Sequence, residues 1–254
     1  MSSEKSNAIV LRTIDFSETS LVVTLLTEDF GKVSALAKGA RRPKGPFDAA
    51  LDLLSICRVV FIRKSSTSLD LLTEAKLDRR FRAASGNLAA LNAGYYVAEM
   101  LRELTDDHDP HPKLFKLACE TLIELDSVAA GQNQQVMRRV LRFEMVALRV
   151  LGHLPAFDDC VGCGKKVGAA PRVSFGLIAG GVLCDGCRQG KRQVASVSAA
   201  AIGAMRSFAE EEQTDNDFKM PPAIAGELRG LLNRYICNLL GKRPKTQKLL
   251  EAIK

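Results

Sequence analysis

Apolar residues in the first part of the chain come in short runs separated by turn-forming residues. Ala8-Ile9-Val10-Leu11 opens the series, and Leu21-Val22-Val23-Thr24-Leu25-Leu26-Thr27 follows as a β-branched stretch. Glu28-Asp29-Phe30-Gly31 reads as a turn, with a returning strand over 32–38. A loop carrying Gly39, Pro43, Gly45 and Pro46 comes next. Further strands are expected over 56–63 and 69–77, joined by the polar turn 64–68. Five short strands within about eighty residues fit a small closed barrel. The OB-fold is the first choice, and an SH3-like barrel is the structural alternative.

From Asp78 the apolar period becomes helical. Leu88, Leu91, Tyr95, Ala98 and Leu101 form one stripe behind Asn87, a good N-cap. A second helix is expected to start at Asp109-Pro110, with Leu114, Leu117, Ala118, Thr121, Leu122 and Leu125 inward. A third covers 132–151, with Val136, Val140, Phe143, Ala147 and Val150 inward, and Gly152 and Pro155 end it. A short β-ribbon over 172–175 and 181–183 interrupts the helices. Helices resume near Ser198 and run to about 212. A polar loop over 213–219 and a helix from Pro221-Pro222 to Leu240 follow. The basic tail ends in a helical turn over 246–253. Such stripes read as packed core rather than a cofactor box. The expected class is α+β. An N-terminal five-stranded OB-fold barrel occupies 1–78, and a helical domain over 79–254 carries a cysteine module at about 157–190.

That module is the sharpest chemical signal. Cys160-Val161-Gly162-Cys163 and Cys184-Asp185-Gly186-Cys187 form two C-x-x-C pairs, the spacing of a four-cysteine structural zinc site. Each pair presents two thiolates on a tight turn, and Gly162 and Gly186 are expected to supply unusual backbone angles there. Four thiolates around one Zn²⁺ leave no position open for water, so the site is structural rather than catalytic. Lys165, Lys166, Arg188, Lys191 and Arg192 stand nearby to offset the thiolate charge. Cys57, Cys119 and Cys237 lie in apolar runs and read as small core residues. The odd count of seven cysteines and the knuckle spacing point to a reducing compartment rather than a disulfide framework. The first residues carry no signal-peptide pattern and no apolar stretch is long enough to cross a bilayer. A cytoplasmic, nucleoid-associated location without a membrane partner is expected.

Charge adds a direction. The net charge of +7 suggests a polyanionic partner. Lys38-Gly39-Ala40-Arg41-Arg42-Pro43-Lys44 has four cations and no acid, at the end of a barrel strand, where OB-folds commonly carry nucleic-acid backbones. A second basic set, Lys242, Arg243, Lys245 and Lys248, lies in the tail, backed by Arg229 and Arg234. Its charge also complements a helix end. Catalytic signals are sparse. No P-loop, G-x-S-x-G or H-E-x-x-H is present. His108 and His111 sit in an acidic, proline-marked turn that reads as a surface turn and helix cap. A metal-dependent nucleic-acid enzyme using them is a third reading. A zinc-ribbon regulator that binds a specific duplex sequence is a second.

The order of the motifs resembles one family along nearly the whole chain. These are Ile9-Val10-Leu11-Arg12, Glu18, Gly31-Lys32, Ala37-Lys38-Gly39-Ala40-Arg41-Arg42 and Arg142-Phe143-Glu144. Leu151-Gly152-His153-Leu154-Pro155, the two cysteine pairs and Leu240-Gly241-Lys242-Arg243-Pro244-Lys245-Thr246 complete the series. The sequence resembles the bacterial recombination mediators of the RecO family. The resemblance implies a non-enzymatic DNA repair protein that binds single- and double-stranded DNA and anneals complementary strands. It implies work with RecR and single-stranded-DNA-binding protein to load RecA, an OB domain before a helical domain, and one structural zinc in many members. It carries DNA contact to Lys38, Arg41 and Arg42. No motif here matches the family's pocket for the tail of single-stranded-DNA-binding protein.

Overall fold

The computed structural model describes residues 3–42, 47, 50–64, 69–83, 86–168, 170–209, 221–251 and 253. The chain divides into two compact units. One comprises residues 1–140 with 248–254, and the other residues 141–247. Among the described residues no helix is long and apolar enough to cross a membrane.

The first unit begins with β1 (Ser3–Asp15), β2 (Leu21–Thr27), β3 (Gly31–Ala37), β4 (Ile56–Ile62) and β5 (Asp70–Arg79). Their order is β1-β2-β3-β5-β4, and β4 pairs back onto β1, so the ladder closes on itself. Only the β3–β5 pair is parallel. Alternation along the strands sends Val23, Leu25, Val33, Ala35, Val59, Phe61 and Leu72 into one buried cluster. Closure leaves the sheet without an open edge. β1 is much longer than its apolar run. Its polar ends are held by backbone pairing, from Ser3 opposite Ile62 on β4 to Asp15 opposite Leu21 on β2. A ladder needs N–H and C=O groups, not apolar side chains, and periodicity therefore undercounts it.

Helix α1 (Leu88–Leu104) is capped as expected: Asn87 accepts a hydrogen bond from the Ala90 N–H at 3.1 Å. Ala98 and Leu101 of the predicted stripe are buried, but the rest of the buried face lies elsewhere on the helix. Ala90, Ala93, Tyr96, Val97 and Met100 are buried, while Leu88 is 71% exposed. Small residues decide this, because they let the helix approach closely. A Cβ on Gly94 would lie 2.7 Å from Leu54 Cδ1. The end of α1 is tied to the sheet through Lys32 of β3. Its ammonium donates to the carbonyls of Arg102 (2.9 Å) and Thr105 (2.5 Å), a cation on the negative end of a helix. Helix α2 (Pro112–Asp126) begins later than the Asp109-Pro110 start expected from sequence, with His111 at the N-cap. Pro112 pushes the residue before it out of the helical region, so the helix cannot start earlier. The predicted inward stripe of α2 is buried throughout.

Helix α3 (Asn133–Val150) runs from the first unit into the second. The second unit contains β6 (Arg172–Gly176), β7 (Gly181–Leu183), α4 (Asp185–Arg188), β8 (Val194–Ser198), α5 (Ala199–Ala209) and α6 (Pro222–Leu240). A final turn, α7 (Gln247–Glu251), closes the chain. The predicted ribbon is β6 paired with β7, and the sequence reading missed its third strand. β8 adds to the other edge of β6, from Arg172 opposite Ser198 to Gly176 opposite Val194. Five residues running straight into a helix gave too short an alternation to stand out. The predicted ends of α5 at about 212 and the 213–219 loop lie outside the described residues.

The core of this unit joins Met145 and Leu148 of α3, Phe175 and Val182 of the sheet, and Leu228, Leu231 and Leu232 of α6. Within it Arg229 grips Glu144 through two parallel bonds of 2.6 Å. The Glu144 side chain is 1% exposed and that of Arg229 14%. Arg229 was expected to back the basic tail; instead it neutralises a buried carboxylate and is spent inside the fold. Arg229→Ala removes the bidentate partner of a buried carboxylate and is expected to cost about 3–5 kcal/mol, read by chemical denaturation. An unchanged midpoint would show the pair to be dispensable.

Glu227 on α6 anchors β8. It accepts from the Ser198 hydroxyl, from the Ser198 N–H (3.0 Å) and from Arg172 (2.8 Å). These donors, the Ser198 hydroxyl first, hold its carboxyl below the ordinary value of 4.5. A depressed carboxyl stabilises the fold above its unfolded-state pKa, and that contribution fades as pH falls through the folded-state value. Denaturation curves from pH 7 to 3 should therefore show wild type losing its stability advantage over Glu227→Gln below about 4.5.

Candidate metal centre and nucleic-acid interface

The two cysteine pairs converge. The sulfurs of Cys160, Cys163, Cys184 and Cys187 all lie within 4.8 Å of one another, and Cys163 Sγ is 3.8 Å from Cys184 Sγ. A tetrahedral metal with bonds of about 2.3 Å to sulfur has S–S edges of about 3.8 Å, so the cage has the size of a zinc–thiolate site. Cys160 is buried, Cys184 and Cys187 are half-buried and Cys163 is exposed.

Backbone hydrogen bonds shape each knuckle. In the first, the N–H groups of Cys163 (3.2 Å) and Gly164 (2.8 Å) both donate to the Cys160 carbonyl, and the Cys160 N–H donates to Lys165. In the second, Cys187 and Arg188 turn back onto the Cys184 carbonyl. The Val161 N–H reaches Val182 of β7 at 3.0 Å, which joins the first knuckle to the strand leading into the second. The glycines act differently from the sequence expectation. Gly162 and Gly186 are not in the left-handed region, whereas Gly164 is, at φ +72°. Gly162 is needed for space, since a Cβ there would lie 3.0 Å from both Cβ and Sγ of Cys187.

The charge environment is also set by backbone rather than by the nearby lysines and arginines. The N–H groups of Cys184 (3.3 Å) and Gly162 (3.4 Å) point at Cys160 Sγ. These donors, Cys184 first, draw the Cys160 thiol down to about 6. The last thiol resists ionisation: Cys187, hydrogen-bonded by Cys163, Cys184 and Cys160, is pushed up to about 12. Four sulfurs this close cannot all carry charge near neutral pH unless a cation sits among them. Arg188 has two partners outside the sulfur cluster. It pairs with Asp185 at 3.3 Å and reaches Ser174. Cys57 and Cys119 are inert by comparison. Burial first, then nearby carboxylates, pushes both Cys57 and Cys119 up to about 12. Cys57 is buried, while Cys119 and Cys237 are only half-buried rather than full core.

The basic loop emerges at the end of β3. Lys38, Arg41 and Arg42 are all exposed, and Lys44 lies outside the described residues. Two hydrogen bonds hold the loop against the β1–β2 hairpin: the Arg41 N–H to the Thr19 carbonyl (3.0 Å) and the Gly39 N–H to Ser20 Oγ (3.4 Å). Arg41 also pairs with Asp15 at 3.2 Å, an exposed contact of small energetic weight. In the tail Lys242, Arg243 and Lys245 are exposed, just beyond the left-handed Gly241 that caps α6. His108 and His111 flank a turn, with His111 Nε2 3.0 Å from Asp109. Among the described residues the cysteine set is the one cluster arranged to hold a metal.

Sequence reading missed one mixed-charge cleft. Asn7, Arg58 and Lys76 stand opposite one another across β1, β4 and β5. With Lys5 they line an open cleft of about 680 Å³ that also contains Asp29 and Glu74. No local run signals it, because strand register brings together residues far apart in the chain.

Residues 1–81 match the family description "Recombination protein O N terminal", and residues 85–248 match "Recombination protein O C terminal". The chain is 46% identical to the DNA repair protein RecO of Rhodopirellula baltica, covering 96% of this chain and 97% of that one. It is 36% identical to the protein of the same name from Myxococcus xanthus, over 94% of this chain and 93% of that one. A third, from Anaeromyxobacter dehalogenans, is 34% identical over all of this chain and 98% of its own length. With both halves matched in order along nearly its full length, the chain belongs to the recombination protein O family.

Proposed function

We propose that the protein is a DNA repair and recombination mediator without catalytic activity. It binds single- and double-stranded DNA, anneals complementary strands, and helps load recombinase onto single strands coated by their binding protein. The observation that carries this reading is the match to DNA repair proteins of the same length and domain order. RecR, single-stranded-DNA-binding protein and, indirectly, RecA are the protein partners it implies, in the bacterial cytoplasm. The strand order β1-β2-β3-β5-β4 with a parallel β3–β5 pair supports reading the closed sheet as an OB-type barrel. The exposed Lys38, Arg41 and Arg42 beside it support phosphate contact there, extended by Lys44.

The metal is Zn²⁺, one per chain, held by Cys160, Cys163, Cys184 and Cys187. All-sulfur ligation and the S–S spacing favour it, and its part is to brace the knuckles against β6 and β7. Elemental analysis of purified protein should give about one zinc per chain. Cys160→Ser or Cys184→Ser should lower both zinc content and thermal stability. Zinc-free protein with disulfides mapped among these four cysteines would overturn the assignment.

Annealing follows from charge. Bare strands repel one another, and cationic surfaces on two separate elements can hold one strand each and screen that repulsion. The loop with Lys38, Arg41, Arg42 and Lys44 is one such surface. The tail with Lys242, Arg243, Lys245 and Lys248 is the other. The step runs downhill on base pairing and needs no ATP. Replacing Lys38, Arg41 and Arg42 together by Ala should weaken binding equally on unrelated sequences and flatten the salt slope by up to about one unit per lost duplex contact. Annealing rates should fall more steeply than single-strand affinity. Annealing no faster than the protein-free rate, with binding confirmed, would leave the mediator reading without a mechanism.

A further inference from the structure

Phe16 is the most exposed aromatic among the described residues: 63% of its surface is open to solvent at the tip of the β1–β2 hairpin. An open aromatic ring there costs hydration free energy and contributes nothing to the core. Its position is nevertheless fixed. The Phe16 N–H donates to the Ser20 carbonyl at 3.0 Å, and the Ser17 N–H donates to the same carbonyl at 3.2 Å. The same hairpin is stapled to the basic loop through Thr19 and Ser20, and Asp15 meets Arg41. Phe16 is thus held beside the basic loop by the Arg41–Thr19 backbone bond, with the Gly39–Ser20 hydroxyl bond and the Asp15–Arg41 pair adding to it.

The sheet face leading to it is suited to flat ligands. Ile14, Val22 and Leu36 stand opposite one another across β1, β2 and β3, pointing away from the buried cluster. Ile14 is 43% exposed, and Val22 and Leu36 are half-buried. In the next row Arg12 stands opposite Thr24, and Thr24 opposite Ser34. Around this apolar strip Arg12, Lys38, Arg41 and Arg42 outnumber the acids Asp15 and Glu18. An apolar strip ending in an open aromatic and bordered by cations matches a chain of flat bases on an anionic backbone. Duplex DNA, whose bases are already stacked on each other, offers no face to it.

We infer that Phe16 is a base-stacking residue: it takes one unpaired nucleobase on its ring while Lys38 and Arg42 hold the adjoining phosphates. This rests on the DNA-binding reading above and deepens it, by making this hairpin the element that tells single strands from duplex. The chain contains no Trp, so Phe16→Trp places a single reporter at the proposed contact. Oligo(dT) should quench its emission and leave affinity at or above wild type. Matched duplex should leave the emission nearly unchanged. Phe16→Ala should weaken oligo(dT) binding roughly five- to a hundred-fold, the range of one lost stack, and change duplex affinity less than twofold. Unquenched emission with oligo(dT) bound, or wild-type single-strand affinity in Phe16→Ala, overturns the stacking role while the DNA-binding reading stands. Equal losses on oligo(dT) and duplex would also overturn it, marking Phe16 as a support for the basic loop. Wild type that binds neither DNA would instead remove the reading on which it rests.

Discussion

The second unit depends on bringing four cysteine sulfurs within 4.8 Å of each other. Thiols so close suppress one another's ionisation, while backbone N–H groups aimed at Cys160 favour its thiolate. Four sulfurs in this arrangement could hold a metal ion among them. Much of the surrounding architecture serves that geometry. β7 delivers Cys184 and accepts the Val161 N–H, and β6 lies between β7 and β8. Glu227 of α6 then locks β8 through Ser198.

The first unit solves a different problem. A small sheet has few inward positions, and closing the ladder from β4 onto β1 removes both edges. Its outer surface is then free for charge and exposed apolar groups. The β3 loop and the β1–β2 hairpin use that freedom together, because the Arg41 and Gly39 N–H groups of the loop donate to Thr19 and Ser20 of the hairpin. Lys32, at the opposite end of β3 from this loop, is engaged with the carbonyls ending α1 and with Asp107. Cations of the same strand and its exit thus divide between structure and surface according to what stands opposite them.

The same division separates Arg229 from its neighbours in the tail. Both look alike as basic residues, yet Arg229 lies against the buried Glu144 while Lys242, Arg243 and Lys245 stay exposed. A buried bidentate pair is costly to break, so it constrains the packing of α6 against α3. Counting basic residues along the chain overstates the surface available to a polyanion by whichever of them are paired inside.

The amino-acid order alone determined the cysteine set, most of the strands, the Asn87 cap and the inward face of α2. Each of these depends on local spacing: two residues between thiols, alternation along a strand, or one turn of helix. It also carried the family, since motif order survives without any knowledge of distance. Tertiary structure decided what local spacing does not encode. Backbone pairing extended β1 and added β8, and close approach at Gly94 turned α1 onto its small-residue face. Register assembled Asn7, Arg58 and Lys76, and packing withdrew Arg229 from the surface. Hydrogen bonds between segments twenty residues apart set Phe16 beside the basic loop. In each case the deciding contact joins residues distant in sequence, and the periodicity of one segment holds no record of its partner.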